Sequence, residues 1–216
     1  MASPSPKKRS KRTYGGLSEE QRVAERRQRF LDAGLEIFGT IGIRGATVRL
    51  LCKEASLTER YFYESFKDSE DLFAAVYETQ SVKMQAFLVE SIQHLPQQLN
   101  PRIHAALDRF FTFMRDEKVV RVLLLESMVG SQTLMEKHHA TIKQYFELAA
   151  DLILADNNEY NLSRELALHI AAAINGATTS MAALWMLDNY RSPQEQLVES
   201  CALVVTGTIQ ALRQRK

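Results

Sequence analysis

The spacing of glycine and proline constrains this chain more than any other feature. Neither residue occurs from 46 to 95, from 102 to 129 or from 131 to 175. Strands need turn residues far more often than that, so the chain reads as all-α. Its 216 residues, 45% hydrophobic and 25% charged, suffice for one or two cores without disulfide or metal staples. Cys52 and Cys201 sit in apolar helical surroundings without CxxC or Cys/His ligand spacing, which reads as buried thiols. That use of cysteine predicts a reducing, cytoplasmic setting.

The net charge of +1 conceals an uneven distribution. Residues 1–75 carry 14 Lys/Arg against 11 Asp/Glu, and the remainder 13 against 15. Lys7, Lys8, Arg9, Lys11 and Arg12 make a basic arm with no acid beside them, following Ser3-Pro4-Ser5-Pro6. Residues 1–17 are therefore expected to be a disordered arm suited to a polyanionic partner. The arm runs into Ser18, Glu19, Glu20 and Gln21 rather than an apolar segment, which does not read as a signal peptide. The richest apolar stretch, 170–187, is interrupted by Asn175, Thr178, Thr179 and Ser180, and is expected to be a buried helix rather than a membrane span.

Capping residues divide the first third of the folded chain. Ser18 and Gln21 form a capping box with Leu17 as staple, and the helix they open should stop near Gly39, ahead of Gly42 and Gly45. Thr47 caps a helix from Val48 to about Ala55, Ser56-Leu57 makes a tight turn, and Thr58 caps a helix ending near Phe66. Asp68 or Ser69 caps the next. Two helices joined by so short a turn form a helix-turn-helix, which sets a DNA-binding domain at 18–75. Longer helices are expected at 72–94, 102–116, 118–129, 132–155, 163–187 and 194–213, in a larger domain spanning 76–216. The breaks fall at Pro96, Pro101, Gly130, the polar cluster 156–161 and Ser192-Pro193.

The second helix of a helix-turn-helix enters the major groove, and its first side chains reach base edges. Here those are Glu59, Arg60 and Tyr61. Thr47 and Thr58 place hydroxyls and free backbone N–H groups where phosphate binds, with Arg49 and Lys67 as nearby cations.

These residues carry a resemblance. The stretch 29–78, with Ala33, Leu35, Phe38, Gly42, Thr47, Leu51, Ala55, Leu57, Thr58, Phe62, Tyr63, Phe66 and Leu72, resembles the DNA-binding region of TetR family transcriptional regulators. Residues 62–66, Phe-Tyr-Glu-Ser-Phe, are its most specific part, and 176–185 followed by 192–197 is similar to the family's last two helices. The resemblance implies a three-helix DNA-binding head on a helical ligand-binding and dimerisation domain, a palindromic operator of double-stranded DNA, and repression relieved by a small effector. It also gives Tyr63 a hydroxyl contact to the phosphate backbone. The chain departs from the pattern in having Ser56 at a turn usually held by glycine, Ser69 where many members carry lysine, and the bulky Arg60 where a small residue is common. Lys67 is the available substitute for that lysine.

Two surfaces are expected on the larger domain. Ala173, Gly176, Ala177 and Ser180, with Leu197, Cys201, Val204, Val205 and Thr208, recur at helical spacing and suit a two-fold homodimer interface; an internal core face is the other reading. Phe110, Phe111, Met114, Met128, His138, Tyr145, Asn175, Thr178 and Trp185 are the candidates for walls of a small, largely apolar effector's pocket.

No catalytic, metal-binding or cofactor site is expected. The adjacent His138 and His139 point about 100° apart on a helix and cannot chelate one metal as an i, i+4 pair would. Neither a phosphate-binding glycine loop nor a nucleophile elbow is present. The competing readings are an architectural DNA-binding protein of the same fold without effector, which would have a collapsed body, and a helical enzyme or carrier whose first helices merely pack.

Overall fold

The computed structural model describes residues 18–92, 98–129, 132–156 and 162–214, and all regular structure among them is helical. The basic arm Lys7, Lys8, Arg9, Lys11 and Arg12, and the Leu17 staple, lie outside the described residues.

α1 (Glu19–Ile41) opens on the capping box: Gln21 N–H donates to Ser18 Oγ at 3.1 Å, and Ser18 N–H to Gln21 Oε1 at 2.7 Å. It runs past Gly39 and stops at Gly42, whose φ of +78° is open to glycine at little cost. Gly39 serves another purpose: a Cβ there would overlap the Lys118 side chain, so its role is close approach rather than termination. α2 (Val48–Ala55) is capped by Thr47, α3 (Glu59–Tyr63) follows, and α4 (Ser69–Ile92) begins where Asp68 accepts from Asp71 N–H at 2.9 Å. α3 is shorter than expected. It ends at Tyr63, and the chain turns on through Ser65 and Phe66, whose N–H groups both donate to Phe62 C=O.

The body comprises α5 (Leu99–Phe113), α6 (Glu117–Val120), a π turn (Arg121–Leu125), a 3-10 turn (Glu126–Met128), α7 (Gln132–Asp156), α8 (Arg164–Leu187) and α9 (Gln194–Arg213). The single helix expected at 118–129 is thus three consecutive winding states. No glycine or proline marks the change, because a π turn accommodates an extra residue without a breaker.

One hydrophobic core runs without interruption from Phe30, Phe38 and Phe62, through Leu72, Phe73 and Val76, to Phe111, Val122, Trp185 and Ala202. α4 crosses the expected boundary at residue 75 as a continuous helix, so head and body share it. Gln194 pins the start of α9 to α5: its amide donates to Asp108 Oδ1 at 2.7 Å and Thr112 Oγ1 at 3.1 Å, and accepts from Arg115 at 2.8 Å.

A second tie between α5 and α9 is pH-dependent. His104 Nδ1 lies 2.9 Å from Asn100 C=O, and Nε2 lies 3.0 Å from Glu199. The Asn100 carbonyl first, then Glu199, raises the imidazole above its ordinary pKa. The tie is therefore complete below the ordinary histidine value of about 6.5 and is lost as pH rises through the folded-state value. An NMR titration of His104 should show a midpoint above that of free histidine, falling back in Glu199→Gln.

α8 is long and apolar enough to cross a membrane by length and composition, although Asn175, Thr178, Thr179 and Ser180 interrupt it and only about 28% of its most apolar stretch is buried in the protomer.

Candidate nucleic-acid interface and effector cavity

The head is organised around a left-handed serine. Ser56 has φ 51° and ψ 43°, its N–H donates to Lys53 C=O, and Leu57 N–H donates to Cys52 C=O. This is a Schellman ending with serine where glycine is usual, and it turns the chain sharply enough for α3 to start three residues later. Arg29 of α1 donates to the carbonyls of Ala55 and Ser56, satisfying groups that the end of α2 leaves free. A left-handed serine is strained relative to glycine, so Ser56→Gly should raise stability by about 0.5–1 kcal/mol in urea denaturation, net of the greater backbone entropy of glycine.

α1 also sets the pose of α3. Arg26 stacks over the Tyr61 ring at 4.4 Å and reaches Glu64 at 3.5 Å; Arg27 stacks over Phe66 at 4.4 Å and donates to Ser65 C=O at 3.1 Å. Beneath them Phe62 meets Phe30 edge-on at 5.4 Å. In the sequence these three arginines registered only as charge. Their spacing on one helix, opposite an aromatic-rich segment, is the signal that could have identified them.

The expected DNA-contacting residues are largely exposed. Thr47, Arg49, Thr58, Glu59, Arg60, Tyr63 and Lys67 are all exposed. Thr47 is occupied as a cap, accepting from Leu50 N–H at 3.2 Å. Thr58 occupies the N-cap position of α3 as expected, with its carbonyl accepting from Phe62 N–H, but its side chain makes no capping bond. Arg60 is 85% exposed and touches Glu64 at 3.4 Å, a contact worth little in solvent. Tyr63 is 59% exposed and rests one ring edge on Phe62, with its hydroxyl outward of the core. Tyr61 departs from the group: it is half-buried beneath Arg26 and belongs to the α1–α3 contact. Lys67 is held by its backbone, whose N–H donates to Asp71 at 3.1 Å. Arg44 and Lys53, also exposed on the head, were not singled out in the sequence.

Within the body, a cavity of about 250 Å³, open on one side, is lined by residues of α4, α5, the π and 3-10 turns, α7 and α8. Of the expected pocket residues, Phe110, Met114, Tyr145 and Asn175 line it. Phe111 and Trp185 do not; they meet edge-on at 6.0 Å in the core, where Trp185 Nε1–H donates to Ser192 C=O. Thr178 is also buried away from it, donating back to Ile174 and Asn175 carbonyls, and Thr179 takes its place in the wall. The side chains of Met128 and His138 lie outside the described residues. Tyr77 and Ser81 of α4, and Leu123, Leu124 and Ser127 of the two irregular turns, were missed.

Those turns have a second face. Arg121 donates to Thr40 C=O at 3.2 Å, Glu126 accepts from Ile43 N–H at 2.9 Å, and Lys118 pairs with Glu36. A Cβ on Gly42 would come within 2.7 Å of the Glu126 carboxylate, so that turn is shaped to admit it. The segment that walls the cavity therefore also grips the C-terminal end of α1.

On α8 and α9 the residues read as interface divide. Leu197 and Cys201 are buried within the protomer core, 5% and 2% exposed, and burial raises the Cys201 thiol; neither can face a second copy. Ala173 and Val204 are exposed, while Ala177, Val205 and Thr208 are half-buried. The outward faces carry Leu184, Leu187 and Leu203, each more than 60% exposed. Among the described residues no group of three or more His, Cys, Asp or Glu could hold a metal ion.

Comparison with known proteins agrees with this geometry. Residues 30–76 match the family described as bacterial regulatory proteins, tetR family. A search of curated sequences finds no match. The fold is similar to the fatty acid degradation regulator FadR from Bacillus halodurans, with a TM-score of 0.69 and 19% identity over 84% of this chain and 95% of that one. FadR from Bacillus subtilis, solved in complex with stearoyl-CoA, aligns with a TM-score of 0.68 and 19% identity over 83% and 98%. A TetR-like transcriptional regulator from Rhodococcus sp. RHA1 gives 0.68 and 18% over 87% and 97%. The N-terminal segment 30–76 thus matches the tetR family of bacterial regulatory proteins, and the chain as a whole has the fold of these solved structures.

Proposed function

We propose that this protein is a homodimeric transcriptional repressor that binds a palindromic operator through α3 and releases it when a small, largely apolar effector occupies the body. The observation that carries this reading is the cavity itself, walled by the same turns that hold the end of α1. An architectural DNA-binding protein would have no use for it. Domain limits of 18–75 and 76–216, with residues 1–17 as a DNA-following arm, complete the proposal.

Dimerisation is supported by the exposed apolar faces of α8 and α9. Leu184, Leu187, Leu203 and Val204 line faces that also include Gly176 and Gly207, where an added Cβ would meet nothing in the protomer. Glycine inside an exposed helix is unfavourable by about 0.5–1 kcal/mol relative to alanine, which a close-packed partner helix would offset. A second copy would place two heads for successive major grooves. The effector acts only insofar as it binds the released conformation more tightly.

Retrieval of genomic fragments by the purified protein at moderate salt should enrich a palindrome beside a few promoters. Broad retention would favour the architectural reading, and none would remove the DNA-binding one. On the enriched site, Arg60→Ala should weaken binding about 10- to 100-fold and relax preference at one base position, corresponding to a loss of about 1–3 kcal/mol. Tyr63→Phe should weaken all sequences alike, as loss of a phosphate contact does.

A further inference from the structure

On the reading of the body as an effector domain, we propose that the cavity takes a compact, uncharged molecule carrying an amide- or hydroxyl-type group that bonds the side chain of Asn175. Three observations lead there. Among the described residues the lining contains no Lys, Arg, His, Asp or Glu. The charged residues of the adjoining turns are engaged elsewhere, Arg121 with Thr40 and Glu126 with Ile43. A carboxylate, phosphate or ammonium inside would thus have no counter-ion among the described lining residues, and burying an unpaired charge is far costlier than burying a hydrogen-bonded neutral group.

The second observation is the state of the polar lining groups. Tyr145 donates to Ser81 C=O at 3.0 Å, Ser127 to Leu123 C=O at 2.9 Å, and Thr179 to Asn175 C=O at 2.7 Å. Tyr77 is hydrogen-bonded to Ser81. The Asn175 carboxamide has no hydrogen-bond partner among the described residues, so a donor and an acceptor are presented together to the cavity. A guest with both functions satisfies it. Burial pushes the Tyr77 phenol up to about 12 and raises Tyr145 too, and the same burial opposes an anionic guest.

Size is the third. A volume of about 250 Å³ lies at the small end of ligand pockets. Met84, Met114 and Phe110 give the walls a soft, apolar surface for a short chain or ring.

The test is a thermal-shift series on the full chain with hexanamide, hexanoate and hexylammonium, which share a chain and differ in head charge. Hexanamide should raise the melting temperature by about 3 °C near saturation, and neither ion should. Asn175→Leu should abolish the hexanamide response without lowering the unliganded melting temperature. Asn175→Asp should lose that response and gain one to hexylammonium. No response to hexanamide, an equal response to either ion, or a hexanamide response retained in both variants overturns the proposal. DNA retention is scored on the same unliganded preparations: its loss alone would count against the regulator reading and leave the cavity's preference standing.

Discussion

Phe62→Ala is expected to destabilise the head by about 3–5 kcal/mol and to abolish DNA retention. Phe62 is fully buried, and its ring meets Phe30 at 5.4 Å, Tyr63 at 5.5 Å and Phe66 at 5.8 Å. Arg26 and Arg27, the long side chains over this cluster, are committed to the rings of Tyr61 and Phe66. Typical domains are stable by only about 5–15 kcal/mol, so the loss is a large share of the total. Urea denaturation followed by far-UV circular dichroism should show an earlier loss of helix, and fragment binding should vanish at temperatures where the body stays helical. An unchanged midpoint would mean that the aromatic cluster is not what holds α3. Tyr63→Phe is the control, since an exposed hydroxyl should move stability by less than about 0.5 kcal/mol.

The double variant Leu184→Glu with Leu203→Glu should convert a dimer into a monomer and weaken operator binding about 10²- to 10⁴-fold. Both leucines are more than 60% exposed in the protomer, so the charges should leave its own stability nearly unchanged. What they remove is the link that makes the second head's binding intramolecular. Sedimentation equilibrium reads the first effect and band-shift titration the second. A wild-type chain that sediments as a monomer at micromolar concentration would defeat the dimer outright. A variant that stays dimeric would move the interface elsewhere.

How far the fold was legible depended on whether its cause was local. Ser18, Thr47 and Asp68 announce helix starts because a cap is a contact between residues two or three apart. The left-handed Ser56 was legible through the resemblance, which puts a residue usually glycine at that turn. Gly39 misled, because close approach to Lys118, distant in sequence, leaves the same mark as a helix stop. Leu197 and Cys201 were taken for an outer surface although they are core. Periodicity shows that a face is apolar but not whether the same chain or another covers it. Phe111, Thr178 and Trp185 were misassigned to the cavity on similar grounds: side chains that fill a core and side chains that wall a hole have one composition. Glu126 and Arg121 could not be found, as their partners at Ile43 and Thr40 lie about eighty residues earlier and are backbone atoms.

On the proposed function, the irregular segment at 121–128 has a practical bearing on any change of effector. Leu123, Leu124 and Ser127 look into the cavity, while Arg121 and Glu126, interleaved with them, hold the end of α1. A library built on those three positions would perturb recognition and response together, and its members would tend to be permanently on or permanently off. Asn175, Thr179 and Ala183 wall the same space from α8, which packs chiefly on α7. On the proposed function, diversity introduced there leaves Arg121 and Glu126 in place and is the safer route to a biosensor of changed specificity.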